Sequence, residues 1–294
     1  MMSSDVMRSS LLIFIVALGL VSESSAAAPL PPLDVYNLYL PTLDSTGFGK
    51  HGLAWSYISR DNNAAADYAV SWYYHWSVRP VAGVNAQFVP MLWSDDAQLK
   101  ASLLNNWDRE YCGFMLVANE PEFVTQADMT VRELIDLIDW VAVQYPCAKV
   151  VAPQTHVCWY EMNPPSPPCP SLTGERFTVE EFIRTYQLTH EGASPPIYAW
   201  GLHYGNVTYW PERLAGLMQT LRVPQRFWYT EFNYCSSNME PFREWLEYLN
   251  AEPLVERYAY WTNMQETDHC VLADYATGTP NERGRTYASF SEFP

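Results

Sequence analysis

From His51 onward, short apolar runs alternate with longer stretches whose apolar positions fall three and four residues apart. Runs of four to six residues cut off by glycine, proline or a polar side chain predict buried strands, and the longer period predicts helices lying on them. Eight strands are predicted, at 51–55, 69–74, 87–92, 113–118, 150–153, 199–203, 226–230 and 257–261. Between them the pattern predicts helices over 94–106, 130–145, 179–190, 211–221 and 239–250. That over 130–145 is set by Leu134, Ile135, Ile138 and Val141 at helical spacing. The stretch between the second and third strands is too short for a full helix, and 56–68 has room for one short turn around 63–67. Eight strands alternating with helices predict a single (β/α)8 TIM barrel of the α/β class, with an open doubly wound sheet as its competitor. An open nucleotide-binding sheet would favour a glycine-rich loop after its first strand; here that place holds Ala54-Trp55-Ser56-Tyr57.

The chain's beginning departs from this rhythm. Arg8, the apolar run from Leu11 to Val21 and the small residues Ser24-Ser25-Ala26-Ala27-Ala28 predict a signal peptide over 1–26, leaving 27–294 as one catalytic-sized domain. The run is shorter than the roughly 20 residues of a membrane span, so export to the extracellular space or cell wall is expected rather than anchoring. All six cysteines lie beyond it, which suits disulfides in an oxidising compartment. Of the many possible pairings, Cys158 with Cys169 would staple a proline-rich excursion and Cys235 with Cys270 would tie two late loops. No C-x-x-C pair or H-E-x-x-H spacing is present, so neither a metal nor another cofactor is expected. Asn206-Val207-Thr208 is a glycosylation sequon. A formal net charge of −16 argues against nucleic acid and anionic membranes as partners and leaves a neutral ligand; a monomer is expected. With 12 Trp and 20 Tyr the chain is also well supplied with rings that can stack on such a ligand.

Two glutamates carry the candidate chemistry. Glu120 follows the fourth predicted strand in Asn119-Glu120-Pro121, and Glu231 ends the seventh in Thr230-Glu231-Phe232. Strands three apart in an eight-membered ring face each other across the lumen, so the two carboxyls can converge at the C-terminal mouth, where barrel enzymes keep their sites. A carboxyl pair around one bond is what glycoside cleavage needs: one protonates the leaving oxygen, the other attacks or stabilises the sugar carbon. Strand alternation predicts that Phe227, Tyr229 and Glu231 share a face, with the aromatic rings beneath the acid. Asp95 and Asp96 read as first-turn helix charges behind a Ser94 cap. Glu122 reads as a loop charge or substrate contact. His75, His156 and His203 stand near strand ends, either packed or touching ligand. Trp140 and Trp245 fall on helices as structural residues.

Five ordered motifs resemble glycoside hydrolase family 128 over roughly residues 50–265: the run Val70 to Trp76, Phe88-Val89-Pro90-Met91-Leu92-Trp93, Asn119-Glu120-Pro121, His203-Tyr204-Gly205 and Thr230-Glu231-Phe232. The resemblance implies a retaining barrel glycosidase acting on internal bonds of β-1,3-glucan, with Glu120 as general acid/base and Glu231 as nucleophile. It implies that Asn119 bonds the sugar 2-hydroxyl and that Tyr204 lies beside the nucleophile. His203 joins them as a substrate contact, and Trp72, Tyr74, Trp76, Trp93 and Trp261 are placed where sugar rings could stack. Where members of that family often carry His-Trp-Tyr, this chain has His203-Tyr204. Two alternatives stand beside that reading: a non-hydrolytic glucan-binding protein on the same barrel, and a glycosidase for another polysaccharide.

Overall fold

A computed structural model describes residues 49–55, 68–156, 178–203, 210–262, 270–274 and 277–291. The signal peptide, the turn around 63–67, Cys158, Cys169, Tyr204 and Asn206 lie outside the described residues. All eight predicted strand segments form, as nine strands: β1 (His51–Trp55), β2 (Trp72–Tyr74), β3 (Gln87–Phe88), β4 (Met91–Leu92), β5 (Phe114–Val117), β6 (Lys149–His156), β7 (Ala199–His203), β8 (Phe227–Phe232) and β9 (Val255–Thr262). Every pairing is parallel, in the order β3-β2-β1-β9-β8-β7-β6-β5-β4.

The two ends of that order are halves of one predicted strand. Pro90 has no N–H to give a ladder and splits it. The Val89 N–H still bonds the Tyr73 carbonyl on the β2 side, while the Pro90 carbonyl accepts from Leu116 on the β5 side, both at 2.9 Å. The sheet therefore closes through Val89-Pro90, and by chain segments it is the eight-stranded barrel.

Helices α1 (Ala97–Asn106), α2 (Val131–Gln144), α3 (Val179–Thr189), α4 (Trp210–Leu221), α5 (Glu240–Ala251) and α6 (Glu282–Ser289) follow the strands. Helix α2 shows why they form. Thr130 and Glu133 make a reciprocal capping box, and Leu134, Ile135, Leu137, Ile138 and Val141 bury one face. Truncating one such leucine to alanine costs about 2–5 kcal/mol. At α1 the cap is Asp96, whose Oδ1 accepts from Gln98 and Leu99, rather than Ser94; Asp95 pairs with Lys100.

Helix α6 was not legible from periodicity. Asn281 caps it, Gly284 lets it approach so closely that a Cβ there would run into the Leu272 carbonyl, and the Tyr287 hydroxyl bonds the Gly52 carbonyl of β1.

Alternate strand residues divide into two clusters. One lies between strands and helices; the other fills the lumen with Trp72, Tyr74, Met91, Phe114, Leu116 and Trp228. Low in the lumen the buried Arg257 guanidinium lies 4.4 Å from the Phe114 ring centre and 4.8 Å from that of Trp228, and bonds the Gln87 side chain at 2.7 Å. The Cys235–Cys270 disulfide forms as predicted, joining the segments after β8 and β9. Cys112 pairs with Cys147, a bridge the sequence reading did not single out, between the residues that lead into β5 and β6.

Candidate active site

The parity prediction for β8 fails in a way that builds the site. Phe227 and Tyr229 point outward to the helices, and Trp228 points into the lumen. Strict alternation would then turn Glu231 outward. Between β7 and β8, however, Leu202 pairs with Tyr229 whereas His203 pairs with Glu231, so β8 carries one extra residue. Such a bulge re-aims one side chain, and here it delivers the Glu231 carboxyl to the mouth, with 17% of its side chain exposed.

Across the lumen the chain leaves β5 through two residues in the left-handed region, Ala118 (φ 60°) and Glu120 (φ 43°). L residues adopt that region only when neighbours hold them there. The Glu120 N–H bonds the Gln154 carbonyl at 2.7 Å and the Gln154 N–H bonds Ala118 at 2.9 Å, leaving the Glu120 side chain 20% exposed. Both acids are thus within reach of a substrate.

One imidazole lies between them. His203, at the end of β7 and 3% exposed, has Nδ1 3.0 Å from Glu120 Oε1 and Nε2 3.5 Å from Glu231 Oε1. That second approach is an ion pair, and His203 Nε2 makes no hydrogen bond among the described residues. Two donors do bond the same Glu231 oxygen, Trp76 Nε1 at 3.0 Å and the Tyr74 hydroxyl at 3.2 Å, the Tyr74 proton being shared with the Thr230 carbonyl at 2.9 Å. Beneath the acids, Thr230 Oγ1 donates to Gln154 Oε1 at 2.7 Å, and the Gln154 side chain lies over Gly201, where any Cβ would overlap it. Asn119 is 2% exposed; its Nδ2 donates to Gln126, and its Oδ1 has no partner among the described residues.

The charges are coupled. Burial alone would lower the His203 pKa, but the carboxylates of Glu231, Glu120 and Glu122 outweigh it and push it up to about 9, so the ring is an imidazolium at neutral pH. Burial would raise Glu120; the His203 hydrogen bond and charge reverse that and hold the carboxyl below the ordinary range. For Glu231 burial prevails over His203, Trp76 and Tyr74 and keeps it above that range. Tyr74, buried beside two carboxylates, stays a neutral phenol and a donor. An imidazolium between two acids of unequal proton affinity can hold one proton on the pair and one negative charge.

Several sequence expectations move. Trp72 is fully buried low in the lumen, its Nε1 bonded to the Lys50 carbonyl, and is no sugar platform. Tyr74 is also fully buried and supports Glu231 instead of stacking on a ligand. Trp76, Trp93 and Trp261 are partly exposed and pack on the lumen cluster. His203 bridges the acids, and His75 is packed, stacked on Tyr73 with Nε2 2.6 Å from the Arg79 carbonyl. Glu122 is no loop charge: it is 2% exposed and accepts the His156 N–H at 2.9 Å. Gln154 and Thr230 were missed, although a glutamine within the otherwise apolar run from Val150 was a signal. Trp140 and Trp245 are helical and partly buried, as predicted.

Comparison with known proteins agrees with this fold. A family-128 subgroup II endo-β-1,3-glucanase from Pseudomonas viridiflava superposes with a TM-score of 0.58 at 25% identity, over 82% of this chain and 97% of its own. One from Sorangium cellulosum gives 0.60 at 24%, over 83% and 98%. A subgroup I enzyme from Amycolatopsis mediterranei, in complex with laminaritriose, gives 0.57 at 21%, over 82% and 99%. Among curated protein sequences no significant match is found. The family model described as glycosyl hydrolase catalytic core matches residues 52–287, a span that holds both glutamates, His203 and all of the strand ring but its first residue, and the chain belongs to that family of hydrolases.

Proposed function

We propose that the protein is a secreted endo-β-1,3-glucanase that cleaves glucan with net retention, its mature chain beginning after residue 26. The observation that carries the reading is the meeting of Glu120 and Glu231 on opposite nitrogens of one imidazole at the barrel mouth. The similar β-1,3-glucanases, one of them holding laminaritriose, support the choice of substrate.

Glu231 acts as nucleophile. Trp76, Tyr74 and His203 all approach its Oε1, leaving Oε2 for the anomeric carbon. These donors suit an anion and remain in place as the covalent glycosyl-enzyme forms and breaks. Glu120 acts as acid and then base. With Oε1 held by His203, its other oxygen gives a proton to the departing glycosidic oxygen and later takes one from water. In the free site the shared proton rests on Glu231, which holds it more strongly than Glu120; turnover needs it moved to Glu120, and the negative charge left on Glu231 is then met by the His203 imidazolium. The Asn119 side-chain oxygen, which has no partner among the described residues, accepts from a sugar hydroxyl beside the scissile bond.

The purified protein incubated with laminarin should release reducing ends from within the chain, and proton NMR of early products should show the β-anomer first. Glu231→Gln should abolish products, and Glu120→Gln should lower kcat by roughly 10²- to 10⁴-fold. Initial α-anomer would refute retention. Tight binding with no products would refute hydrolysis, and hydrolysis only of other polysaccharides would refute the substrate.

A further inference from the structure

The β5–β6 ladder ends in a substitution of side chain for backbone. Gln154 donates to the Ala118 carbonyl and receives the Glu120 N–H; the same alternation continued one step would bring the Glu120 carbonyl to the His156 N–H. It does not, because the left-handed backbone of Glu120 turns that carbonyl away, and it accepts from Phe123 at 3.0 Å instead. The His156 N–H would be stranded at the end of a buried strand. Glu122 Oε1 takes it at 2.9 Å.

We infer that Glu122 is the positioning residue of the acid/base: its carboxyl replaces the Glu120 carbonyl in the ladder and so fixes the left-handed turn that aims the Glu120 side chain at His203. The inference rests on the reading of Glu120 as acid/base. A left-handed L residue costs about 1–2 kcal/mol and persists only where surrounding contacts hold it. Here three contacts do so, the Glu120 N–H on Gln154, the Phe123 N–H on the Glu120 carbonyl, and Glu122 on His156. Burial pushes the Glu122 carboxyl up to about 8, so at the pH of catalysis it is a neutral acceptor that adds no charge beside Glu120. The titratable groups facing it are Glu120, His203 and His156; burial, with the His203 charge, lowers the His156 ring to about 4 and keeps it neutral.

Three variants test this: Glu122→Ala, Glu122→Leu, which keeps bulk without an acceptor, and Glu122→Gln, which keeps the acceptor. Kinetics on laminarin are read beside hydrogen exchange at the His156 amide. Ala and Leu should lose roughly tenfold or more in kcat with KM changed less than about threefold, and should lose amide protection; Gln should recover most of both. Protection of the amide in the Leu variant, or its loss with kcat intact, overturns the inference. Should Ala and Leu fail to fold, Gln decides alone: a folded Gln variant with an unprotected amide overturns it, and a protected one supports it. If Glu120→Gln and Glu231→Gln remain fully active, the reading of the site falls instead, and the amide measurement still decides whether Glu122 holds the turn.

Discussion

Glu122→Gln should uncouple the stability of this protein from pH between the ordinary carboxyl range and neutrality. The folded protein holds the Glu122 proton up to about pH 8, whereas the same carboxyl in the unfolded chain releases it near 4.5. Below 4.5 both states are protonated and the group contributes no pH dependence. Between 4.5 and 8 the unfolded state alone loses the proton, so stability falls steadily as pH rises; above 8 both are ionised and the loss is complete. From 4.5 to pH 7 the difference is two and a half pH units at about 1.36 kcal/mol each, or about 3 kcal/mol. Glutamine keeps the acceptor for His156 and does not titrate. The variant should therefore match wild type within about 1 kcal/mol at pH 4.5 and exceed it by about 3 kcal/mol at pH 7, equivalent to roughly 6–12 °C in Tm for a domain of this size. Urea unfolding followed by tryptophan fluorescence at several pH values between 4.5 and 7 measures it. The His156 shift is common to both proteins and cancels in the difference; His203 loses only the Glu122 part of its shift and stays protonated over this range through Glu231 and Glu120. Parallel curves would refute the reasoning, because they would mean that Glu122 ionises in the folded protein as it does in the unfolded one.

Activity should follow a bell in pH. It is lost at low pH as Glu120, held below the ordinary range, and then both acids become protonated, and lost at higher pH as the last proton leaves the pair at the raised Glu231 value; kcat/KM against pH on laminarin checks it. Trp76→Phe removes one N–H from Glu231, a charged hydrogen bond worth about 1.5–3 kcal/mol, so kcat should fall by roughly 10- to 150-fold. The two disulfides should separate stability from activity. Each closes a loop with sequence separation 35, worth about 3–4 kcal/mol in the unfolded chain, but Cys112–Cys147 lies at the strand starts, away from the acids, and Cys235–Cys270 lies beyond the ends of β8 and β9. Replacing either pair with alanine should lower urea stability by about that amount, and only the second should also lower kcat/KM.

How much of this was written visibly in the chain follows from which interactions are periodic. The strands were legible because a parallel barrel buries both strand faces, which makes each strand an apolar run with an abrupt polar end. Those ends put Glu120 and Glu231 at the barrel mouth, where both side chains lie partly exposed. What pattern reading cannot supply is a break in the pattern, and the site is assembled from such breaks. The extra residue in β8 reverses the parity that strict alternation assigned to Glu231, because a bulge is fixed by pairing with the neighbouring strand and leaves no mark in the residue types of its own. The left-handed turn at Glu120 carries no glycine to announce it, since it is held by Gln154 and Glu122, residues 34 and 2 positions away. Height in the lumen is equally silent: Trp72, Tyr74 and Trp76 share one face, yet the first is sealed low in the barrel, the second is buried beneath Glu231 and only the third reaches the mouth. His203 could be placed at a strand end but not between two acids, because that position depends on both irregularities at once. The residues hardest to read were therefore those that hold the glutamates in place, and their contacts, more than the identity of the glutamates, distinguish a working acid pair from two exposed side chains.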